Sequence, residues 1–168
     1  FQSFTNTYAP TSKLREIFTA ALEDVLFAGI SIATRPDCLE KDVIELLKEL
    51  KEKYLNKFIW VELGLQTIHE SAAKWMNRGY PLEVFDEAVK NLKAIDIEVI
   101  VHIIIGLPGE DQKMLLETIE HLNACQIDGV KLQLLHYLKN TRLGLQYVSN
   151  PSQYHVLEMD EYVELVTE

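Results

Sequence analysis

The stretch Phe58-Ile-Trp-Val-Glu-Leu-Gly-Leu-Gln66, followed after a short gap by Asn77-Arg78-Gly79, decides the fold class of this chain. Its apolar run is short and nearly continuous, which is typical of a parallel-sheet strand that is covered on both faces. The strand ends with Gly64 and Gln66 and is followed by a helix. Gln66 and Arg78 can therefore both face a ligand at the carboxyl end of the strand, where parallel α/β sheets bind their ligands.

The rest of the chain repeats this unit of a strand followed by a helix. Five apolar runs are predicted to be parallel strands, with segments of helical spacing between them. They are Phe1 to Phe4, Leu26 to Ala33, Phe58 to Leu65, Val99 to Ile105 and Val130 to Leu135. Asp37 followed by Glu40 resembles a capping box, and a last helix is predicted from about Met159, after a loop around residues 140–151. Alternating strands and helices imply right-handed crossovers, hence a barrel or an open doubly wound sheet.

Side-chain alternation favours the barrel, because one face of the predicted sheet is polar. Glu62, Gly64 and Gln66 share this face on one strand. The other residues predicted on it are Ser31, Ala33, Arg35, Ile100, His102, Lys131 and Gln133. A closed eight-stranded barrel is filled with aliphatic side chains, and a buried unpaired charge is costly. An open, partial barrel with a ligand in its lumen accommodates Glu62 and Lys131 better; alternatively, these two residues only pair with each other and line nothing.

Composition limits the class of protein. A chain of 168 residues with 48% hydrophobic content suits one core, and no apolar run is long enough for a membrane helix. The formal net charge of −10 argues against a broad nucleic-acid-binding face and favours a small-molecule partner. Cys38 and Cys125 lack metal-site spacing, so free thiols in a reducing cytoplasm are predicted, with no metal site. His69, His121 and His155 are predicted to lie on the surface.

Four motifs occur together in an order and spacing that resemble the core of a radical S-adenosylmethionine (SAM) enzyme. They are Ile32-Ala-Thr-Arg-Pro-Asp37, Glu62-Leu-Gly-Leu-Gln-Thr67, Asn77-Arg-Gly79 and His102-Ile-Ile-Ile-Gly-Leu-Pro-Gly-Glu110. The resemblance spans nearly the whole chain and is greatest to the branch that includes the oxygen-independent coproporphyrinogen III oxidases and the elongator-type tRNA-modifying enzymes. Within that branch, Gln2-Ser-Phe-Thr-Asn-Thr-Tyr-Ala-Pro10 and Leu135-His-Tyr-Leu-Lys-Asn-Thr141 resemble an uncharacterised bacterial group of Fe–S oxidoreductases.

The resemblance implies an α/β fold, a partial (β/α)6 TIM-like barrel of which residues 1–168 form the central part, with about five strand-helix units. It implies that Gln66 hydrogen-bonds the SAM ribose hydroxyls and that Arg78 holds the methionyl carboxylate, which a guanidinium can bind bidentately. It also implies that the backbone at Gly106, Leu107 and Pro108 approaches the adenine closely. The candidates for substrate contact in the lumen are Arg35, Glu62, Lys131, Gln133 and His136.

Three features depart from the family pattern. His102 stands where the coproporphyrinogen oxidases have an aspartate for the ribose, and Ala33 stands where related enzymes carry a glutamate. One polar contact to SAM is therefore either missing or supplied by Gln2 or Asn6. The CxxxCxxC loop that ligates the family's [4Fe–4S] cluster is absent, and Cys38 and Cys125 cannot replace it.

We therefore expect a fragment whose cluster ligands lie upstream and which is inactive alone. Its parent is expected to reduce SAM at the cluster and to use the 5′-deoxyadenosyl radical to abstract hydrogen from an unknown substrate. Expected partners are SAM and an electron donor for the parent, with no membrane. The substrate is open between a metabolite and an RNA, and tRNA bound through other regions is one candidate. Phe1 to Phe4 is expected to be an unpaired sheet edge through which the fragment self-associates.

Two other functions remain open at this point. A conventional α/β-barrel enzyme could bind an anionic metabolite through Arg35, Arg78 and Lys131, without radical chemistry. A non-catalytic binding module could use an apolar groove lined by Tyr137, Leu138 and Leu143.

Overall fold

The computed structural model describes residues 1–167 as a four-stranded parallel sheet with helices packed on one face. The strands, which pair in chain order, are β1 (Gly29–Thr34), β2 (Phe58–Gln66), β3 (Glu98–Ile105) and β4 (Gly129–Leu134). The helices are α1 (Thr11–Glu23), α2 (Lys41–Lys53), α3 (Glu70–Trp75), α4 (Leu82–Lys93), α5 (Gln112–Ala124), α6 (Arg142–Ser149) and α7 (Met159–Thr167). Short 3-10 turns occupy Pro36–Cys38 and Pro151–Gln153. The predicted α/β class with parallel strands is confirmed.

The core lies between the sheet and its helices. On β2, Ile59, Val61, Leu63 and Leu65 are at most 1% exposed. The corresponding residues of β3, which are Val99, Val101, Ile103 and Ile105, are also buried. Helices α1, α2 and α4 bury residues at three- and four-residue spacing against this face, as an amphipathic helix does.

The opposite face of the sheet carries the alternate side chains and is more open than the sequence predicted. In β3 the residues that alternate with the buried ones are partly exposed, and they include His102. We expected strands covered on both faces, but within residues 1–167 the helices cover one face. The buried set of β2 and β3 obeys the period of two that a sheet with one covered face requires. We call the second face the open face.

The predicted first strand, Phe1 to Phe4, does not form. The ammonium group of Phe1 donates to the Ser31 carbonyl (2.8 Å), and the Ala33 amide donates to the Phe1 carbonyl (2.9 Å), so Phe1 lies along the free edge of β1. Phe4 then adopts a left-handed φ of 63° and is 96% exposed. Because this turn interrupts the ladder, the segment covers the edge of β1 without becoming a strand. The prediction of an unpaired edge strand was therefore wrong, and residues 1–167 contain four strands where five were predicted.

Two local predictions around the first helices were also wrong. Strand β1 begins at Gly29, because Val25 and Leu26 are about nine-tenths exposed and belong to the preceding loop. The capping box does not form, since α2 begins after Glu40 without a side-chain cap. Asp37 instead lies in the 3-10 turn and binds Arg35.

The C-terminal part contains one helix that was predicted and one that was not. Helix α7 begins at Met159, as predicted. Helix α6 lies inside the predicted loop, where the Thr141 hydroxyl accepts a hydrogen bond from the Gly144 amide (3.0 Å) and caps it. Among residues 1–167, none of the helices combines the length and the apolar character that crossing a lipid bilayer requires.

Candidate functional site

Glu62 lies at the centre of a polar cluster on the open face. Its Oε1 accepts hydrogen bonds from the Gln2 side-chain amide (2.7 Å) and from the Ser31 hydroxyl. Its Oε2 lies 2.6 Å from Nε2 of His102 and 3.0 Å from Nζ of Lys131. These partners come from the N-terminal segment, β1, β3 and β4. The cluster therefore joins all four strands across the open face.

The cluster fixes the ionisation of Glu62. Burial alone would raise the pKa of this carboxyl, whose side chain is only 7% exposed, but the hydrogen bonds from Ser31, Lys131, Gln2 and His102 outweigh burial and lower the pKa to about 2. Glu62 is therefore an ionised acceptor. The Glu62–Lys131 pair that the sequence left open does form, but it is part of a larger network.

Gln66 ends β2 in an unusual conformation. Its φ is 73°, and the pairing of β2 with β3 shifts between Gly64 and Gln66. A Cβ atom on Gly64 would lie 2.9 Å from Nε2 of Gln66, so glycine leaves the space in which this side chain lies. The Oε1 atom of Gln66 is buried and has no hydrogen-bond partner among the described residues. Such an unpaired acceptor costs about 1–3 kcal/mol, which indicates that a donor is missing from the site.

Arg78 is buried directly behind the end of β2, with only 3% of its side chain exposed. Its Nη1 donates to the carbonyl of Thr67 (2.6 Å) and lies 3.5 Å from the carbonyl of Leu65. Its Nε donates to the Tyr80 carbonyl (3.0 Å), and its Nη2 donates to Oε1 of Glu70 (2.9 Å). The guanidinium therefore holds the backbone on both sides of Gln66.

The turn around Arg78 explains the Asn-Arg-Gly motif. Asn77 and Gly79 both have positive φ, 60° and 86°, and these two left-handed residues turn Arg78 back towards β2. In this arrangement one oxygen of the Glu70 carboxylate accepts from the guanidinium that the resemblance expects to hold the methionyl carboxylate. Sequence reasoning did not find Glu70, because no motif relates it to Arg78.

The turn after β3 lines a cavity of about 290 Å³. Gly106, Leu107 and Pro108 are among its walls, and Ile104, which shares the open face with His102, extends to it. Gly106 has a φ of 86°, and a Cβ there would lie 3.2 Å from Cδ1 of Leu157, so the backbone and the C-terminal segment approach closely. The three residues expected to approach the adenine therefore share one cavity at the carboxyl end of the open face.

A hydrogen bond fixes the turn after β3 relative to Gln66. The hydroxyl of Thr67, the next residue after Gln66, donates to Oε1 of Glu110 (2.5 Å). Burial raises the pKa of the Glu110 carboxyl, although this hydrogen bond opposes the shift. Because Thr67 and Glu110 follow neighbouring strands, their contact ties the end of β2 to the cavity wall. Sequence reasoning missed it.

The other substrate candidates do not join Glu62 and Lys131. Arg35 binds both oxygens of Asp37 (2.9 and 2.7 Å) and lies 5.4 Å from the ring centre of Tyr80. The alternation predicted for Arg35 fails because β1 ends at Thr34. Gln133 and His136 are exposed and make no side-chain hydrogen bonds within residues 1–167.

The residues near Ala33 have distinct roles. Gln2 enters the Glu62 cluster, whereas Asn6 donates from its side chain to the Ala33 carbonyl (2.9 Å). Of the two, Gln2 is the one that brings a polar side chain to the open face.

The residues named for the two alternative functions, an enzyme acting on an anionic metabolite and a non-catalytic binding module, make other contacts in the structure. Arg35, Arg78 and Lys131 each pair with a different carboxylate, so an anionic metabolite would have to displace Asp37, Glu70 and Glu62 to bind all three. Of the residues suggested for an apolar groove, Tyr137 packs against Tyr147 (4.8 Å) and Tyr154 (5.6 Å between ring centres), whereas Leu138 is exposed.

The cysteines are far apart in the fold, and the three histidines that were predicted to lie on the surface differ in their exposure. Cys38 follows β1, and Cys125 follows α5, so the described chain has no cysteine set for an iron–sulfur cluster. His155 is 70% exposed, as predicted. His69 and His121 were expected to be surface residues but are largely covered, because His69 bonds the Met114 carbonyl (2.8 Å) and His121 bonds Asp86.

The family is shown by comparison with known proteins. The family model described as the Radical SAM superfamily matches residues 5–122. The uncharacterized protein YtqA of Bacillus subtilis (strain 168) is 46% identical over 168 residues, which cover 99% of this chain and 50% of that relative. The chain thus spans about half the length of the curated relatives it matches.

Solved structures share the fold. Elp3 of Methanocaldococcus infernus, with an N-terminal deletion, has a TM-score of 0.70 at 24% identity, covering 83% of this chain and 32% of that one. The coproporphyrinogen III oxidase of Escherichia coli, a radical SAM enzyme, has a TM-score of 0.70 at 16% identity, covering 97% and 36%. Both support a partial TIM-like barrel, and YtqA agrees with the uncharacterised bacterial group that the motifs indicated. The chain therefore belongs to the radical SAM superfamily.

Proposed function

We propose that this chain forms the SAM-binding part of a radical SAM enzyme, with Gln66 as the residue that binds the ribose. Enzymes of this family use SAM and a [4Fe–4S] cluster. The unpaired Oε1 of Gln66 carries the proposal. A ribose hydroxyl is a donor that would satisfy this buried acceptor, and the shape of β2 at Gly64 and Gln66 keeps the side chain in place to receive it.

His102 supports the same assignment through its tautomer. Because ionised Glu62 can only accept, Nε2 of His102 carries the hydrogen in their 2.6 Å contact. In the neutral ring the other nitrogen, Nδ1, is then an acceptor. An aspartate in related enzymes also accepts from the ribose, so we propose that His102 replaces it in function, with Glu62 setting its tautomer.

The cavity beside Gly106 is proposed to hold the adenine. Its walls include backbone from Gly106, Leu107 and Pro108, and its volume of about 290 Å³ suits one heterocycle with room for water. The Thr67–Glu110 hydrogen bond keeps this wall at a fixed distance from Gln66. We propose that it thereby sets the separation between the adenine and ribose sites.

Arg78 is proposed to bind the methionyl carboxylate in exchange for Glu70. Three of its contacts are to backbone carbonyls, two of them at the end of β2 and one at Tyr80, and they would persist when SAM binds. Its contact with Glu70 is different, because the Glu70 side chain is 47% exposed and can turn to water. Arg78 would thus both position Gln66 and bind the ligand.

The iron–sulfur cluster does not fit the residues of this chain. We propose that its cysteine ligands lie in a part of the protein outside residues 1–168, as the length of the relatives permits. SAM bound beside such a reduced cluster supplies a carbon radical for hydrogen abstraction from a substrate. This chain contributes binding, orientation and exclusion of water. By itself it should not cleave SAM.

A binding experiment tests the ribose assignment. SAM is titrated into the 168-residue chain by calorimetry, and the dissociation constant is compared with that of Gln66→Ala. Loss of one hydrogen bond should weaken binding by about 0.5–1.5 kcal/mol, or roughly tenfold at the upper end. Gln146→Ala is the matched control, since it removes an exposed glutamine of α6 that has no role in the proposed site. Equal dissociation constants for wild type and Gln66→Ala would remove Gln66 from the site.

A second experiment tests the assignment of the cluster. The chain is treated anaerobically with iron and sulfide, reduced with dithionite, and assayed for 5′-deoxyadenosine. We expect no cluster absorbance and no product. Product from this chain alone would contradict the placement of the cluster ligands outside it.

The substrate and partners follow from the same proposal. We propose Lys131 and Gln133, which share the open face of β4, as the substrate contacts. Glu62 positions Lys131, whereas Arg35 is bound to Asp37 and His136 lies beyond the end of β4. The chain has a net charge of −10, so we propose that contact with tRNA, and with the electron donor, lies in other regions. We place the protein in the cytoplasm, where its free cysteines stay reduced.

Self-association is a separate proposal that now depends on one exposed residue. The N-terminal segment already covers the edge of β1, but Phe4 projects fully into solvent. We propose weak self-association through Phe4. Sedimentation at increasing concentration should show it in the wild type and less of it in Phe4→Ser.

A further inference from the structure

A second cluster of chemically active side chains lies in the helical layer, away from the proposed SAM site. It contains Asp86 of α4, His121 of α5 and Cys125, the residue that directly follows α5. Nε2 of His121 lies 2.7 Å from Oδ1 of Asp86, and Sγ of Cys125 lies 3.9 Å from the same oxygen. All three ligand atoms lie within 4.8 Å of one another. None of them has a role in the proposed SAM site.

The backbone places these atoms together for a simple reason. His121 and Cys125 are four residues apart at the end of one helix, where the Cys125 amide still bonds the His121 carbonyl (3.0 Å). Residues at this spacing lie on the same helix face. Asp86 faces them from α4, and all three side chains are partly buried, so they are accessible to a small ion but shielded from bulk water.

The ligand atoms suit a tetrahedral metal ion. An imidazole nitrogen, a thiolate and a carboxylate oxygen are the three ligand types that Zn²⁺ binds, at about 2.0–2.3 Å. In a tetrahedron with such bonds the ligand atoms lie roughly 3.3–3.8 Å apart. The Sγ–Oδ1 distance of 3.9 Å is already close to this range. The Nε2–Oδ1 distance of 2.7 Å would have to increase by about 0.6 Å to reach it.

We propose that Asp86, His121 and Cys125 form a binding site for Zn²⁺, with water as the fourth ligand. The ion replaces the His121–Asp86 hydrogen bond. Cys125 loses its thiol proton to solvent, and the hydrogen on Nε2 of His121 is exchanged through water for one on Nδ1, so that Nε2 presents its lone pair. With a neutral ring, binding therefore releases one proton and involves no redox change. The site joins α4 to α5 on the outside of the sheet.

Cobalt provides a direct test, because the chain has only two cysteines. Co²⁺ is titrated into the metal-free 168-residue chain under anaerobic conditions. We expect one equivalent to bind, with tetrahedral ligand-field bands and a thiolate-to-cobalt charge-transfer band in the near ultraviolet. The charge-transfer band should disappear in Cys125→Ser and remain in Cys38→Ser, which is the matched control. A band that survives Cys125→Ser, or no saturable binding, would overturn the proposal.

Zn²⁺ provides a second readout that separates a metal site from a plain hydrogen bond. His121→Gln can still donate to Asp86 but is a poor metal ligand, so the metal-free variant should keep the circular dichroism spectrum of the wild type. We expect Zn²⁺ to raise the Tm of the wild type and of Cys38→Ser, but not of His121→Gln, and to bind that variant at least tenfold more weakly. An equal Zn²⁺-dependent rise in Tm for wild type and His121→Gln would contradict the assignment.

Discussion

Glu62 and Gln66 are polar residues on the same face of one strand, yet their side chains are in opposite states. Every direction in which the Glu62 carboxylate can accept is used, by Gln2, Ser31, His102 and Lys131. The amide oxygen of Gln66 is buried and has no partner in the described chain. Both residues were predicted to face the lumen, but only one of them lacks a hydrogen bond.

The difference separates a structural polar group from a binding one. A buried polar group that the fold completes stabilises the fold, because removing its partners leaves unpaired charges. A buried polar group that the fold leaves unpaired costs stability, unless a ligand completes it. We therefore expect changes at Glu62 to alter unfolding, and changes around Gln66 to alter SAM binding.

The largest expected effect is on stability, at Glu62. The pKa of this carboxyl is lowered from 4.5 to about 2, so the stabilisation is complete above about pH 4.5 and is lost as the pH falls through the folded-state pKa. The shift corresponds to about 3 kcal/mol of the free energy of unfolding. Glu62→Gln should lose this amount at pH 7, measured by urea denaturation, and the gap from the wild type should close near pH 2.

Glu98→Gln is the control for this measurement, because Glu98 is an exposed glutamate at the start of β3. It should change the free energy of unfolding by less than about 0.5 kcal/mol. A difference between wild type and Glu62→Gln that does not depend on pH would mean that packing, rather than ionisation, accounts for the loss.

The next largest effect is on SAM affinity, through Gly64. The new Cβ of Gly64→Ala would lie 2.9 Å from Nε2 of Gln66, so the side chain of Gln66 has to move. We expect SAM binding to weaken by up to about tenfold, as in Gln66→Ala, with little change in stability because only a flexible amide is displaced. In calorimetry the double variant should bind SAM no more weakly than Gln66→Ala alone. Additive losses would show that Gly64 affects the site by another route.

A smaller effect is expected at His102, and it is spectroscopic. Glu62 occupies Nε2, so a ribose hydroxyl has to use Nδ1. In nitrogen-15 NMR of the chain, saturation with SAM should shift the Nδ1 resonance of His102. His121, which bonds Asp86 between α4 and α5 and lies away from the proposed SAM site, is the internal reference and should not move. Identical His102 spectra with and without SAM would exclude the ribose contact.

The fold was largely predictable because the strands carry their own pattern. The period of two in β2 and β3 places Val61 and Leu63 in the core and Glu62 on the open face without any knowledge of tertiary structure. The N-terminal segment was not predictable in this way. Phe1 and Phe4 are apolar, but the left-handed turn at Phe4 depends on how the segment meets the edge of β1.

The site was predictable in its residue types and less so in its contacts. Alternation brought Glu62, His102 and Lys131 together, and the motifs brought Gln66 to the strand end. Neither could reveal that Glu70 binds Arg78, because that contact needs the two left-handed residues of the Asn-Arg-Gly turn. The contact between Asp86 and His121 could not be predicted for a similar reason, because neither helix sequence alone shows that α4 packs against α5.

The smallest expected effect tests the role of Arg78. It is a gain in SAM affinity, whereas the other variants are expected to lose stability or affinity. Glu70→Gln keeps an acceptor for Nη2 of Arg78 but removes a negative charge that competes with the SAM carboxylate. If SAM displaces Glu70, the variant should bind SAM a few-fold more tightly, a gain of about 0.5–1 kcal/mol for a partly exposed ion pair. Adenosine, which has no carboxylate, should bind wild type and Glu70→Gln equally in the same titration. If both ligands bind the variant as they bind the wild type, Arg78 only holds the backbone beside Gln66, and the carboxylate of SAM binds elsewhere.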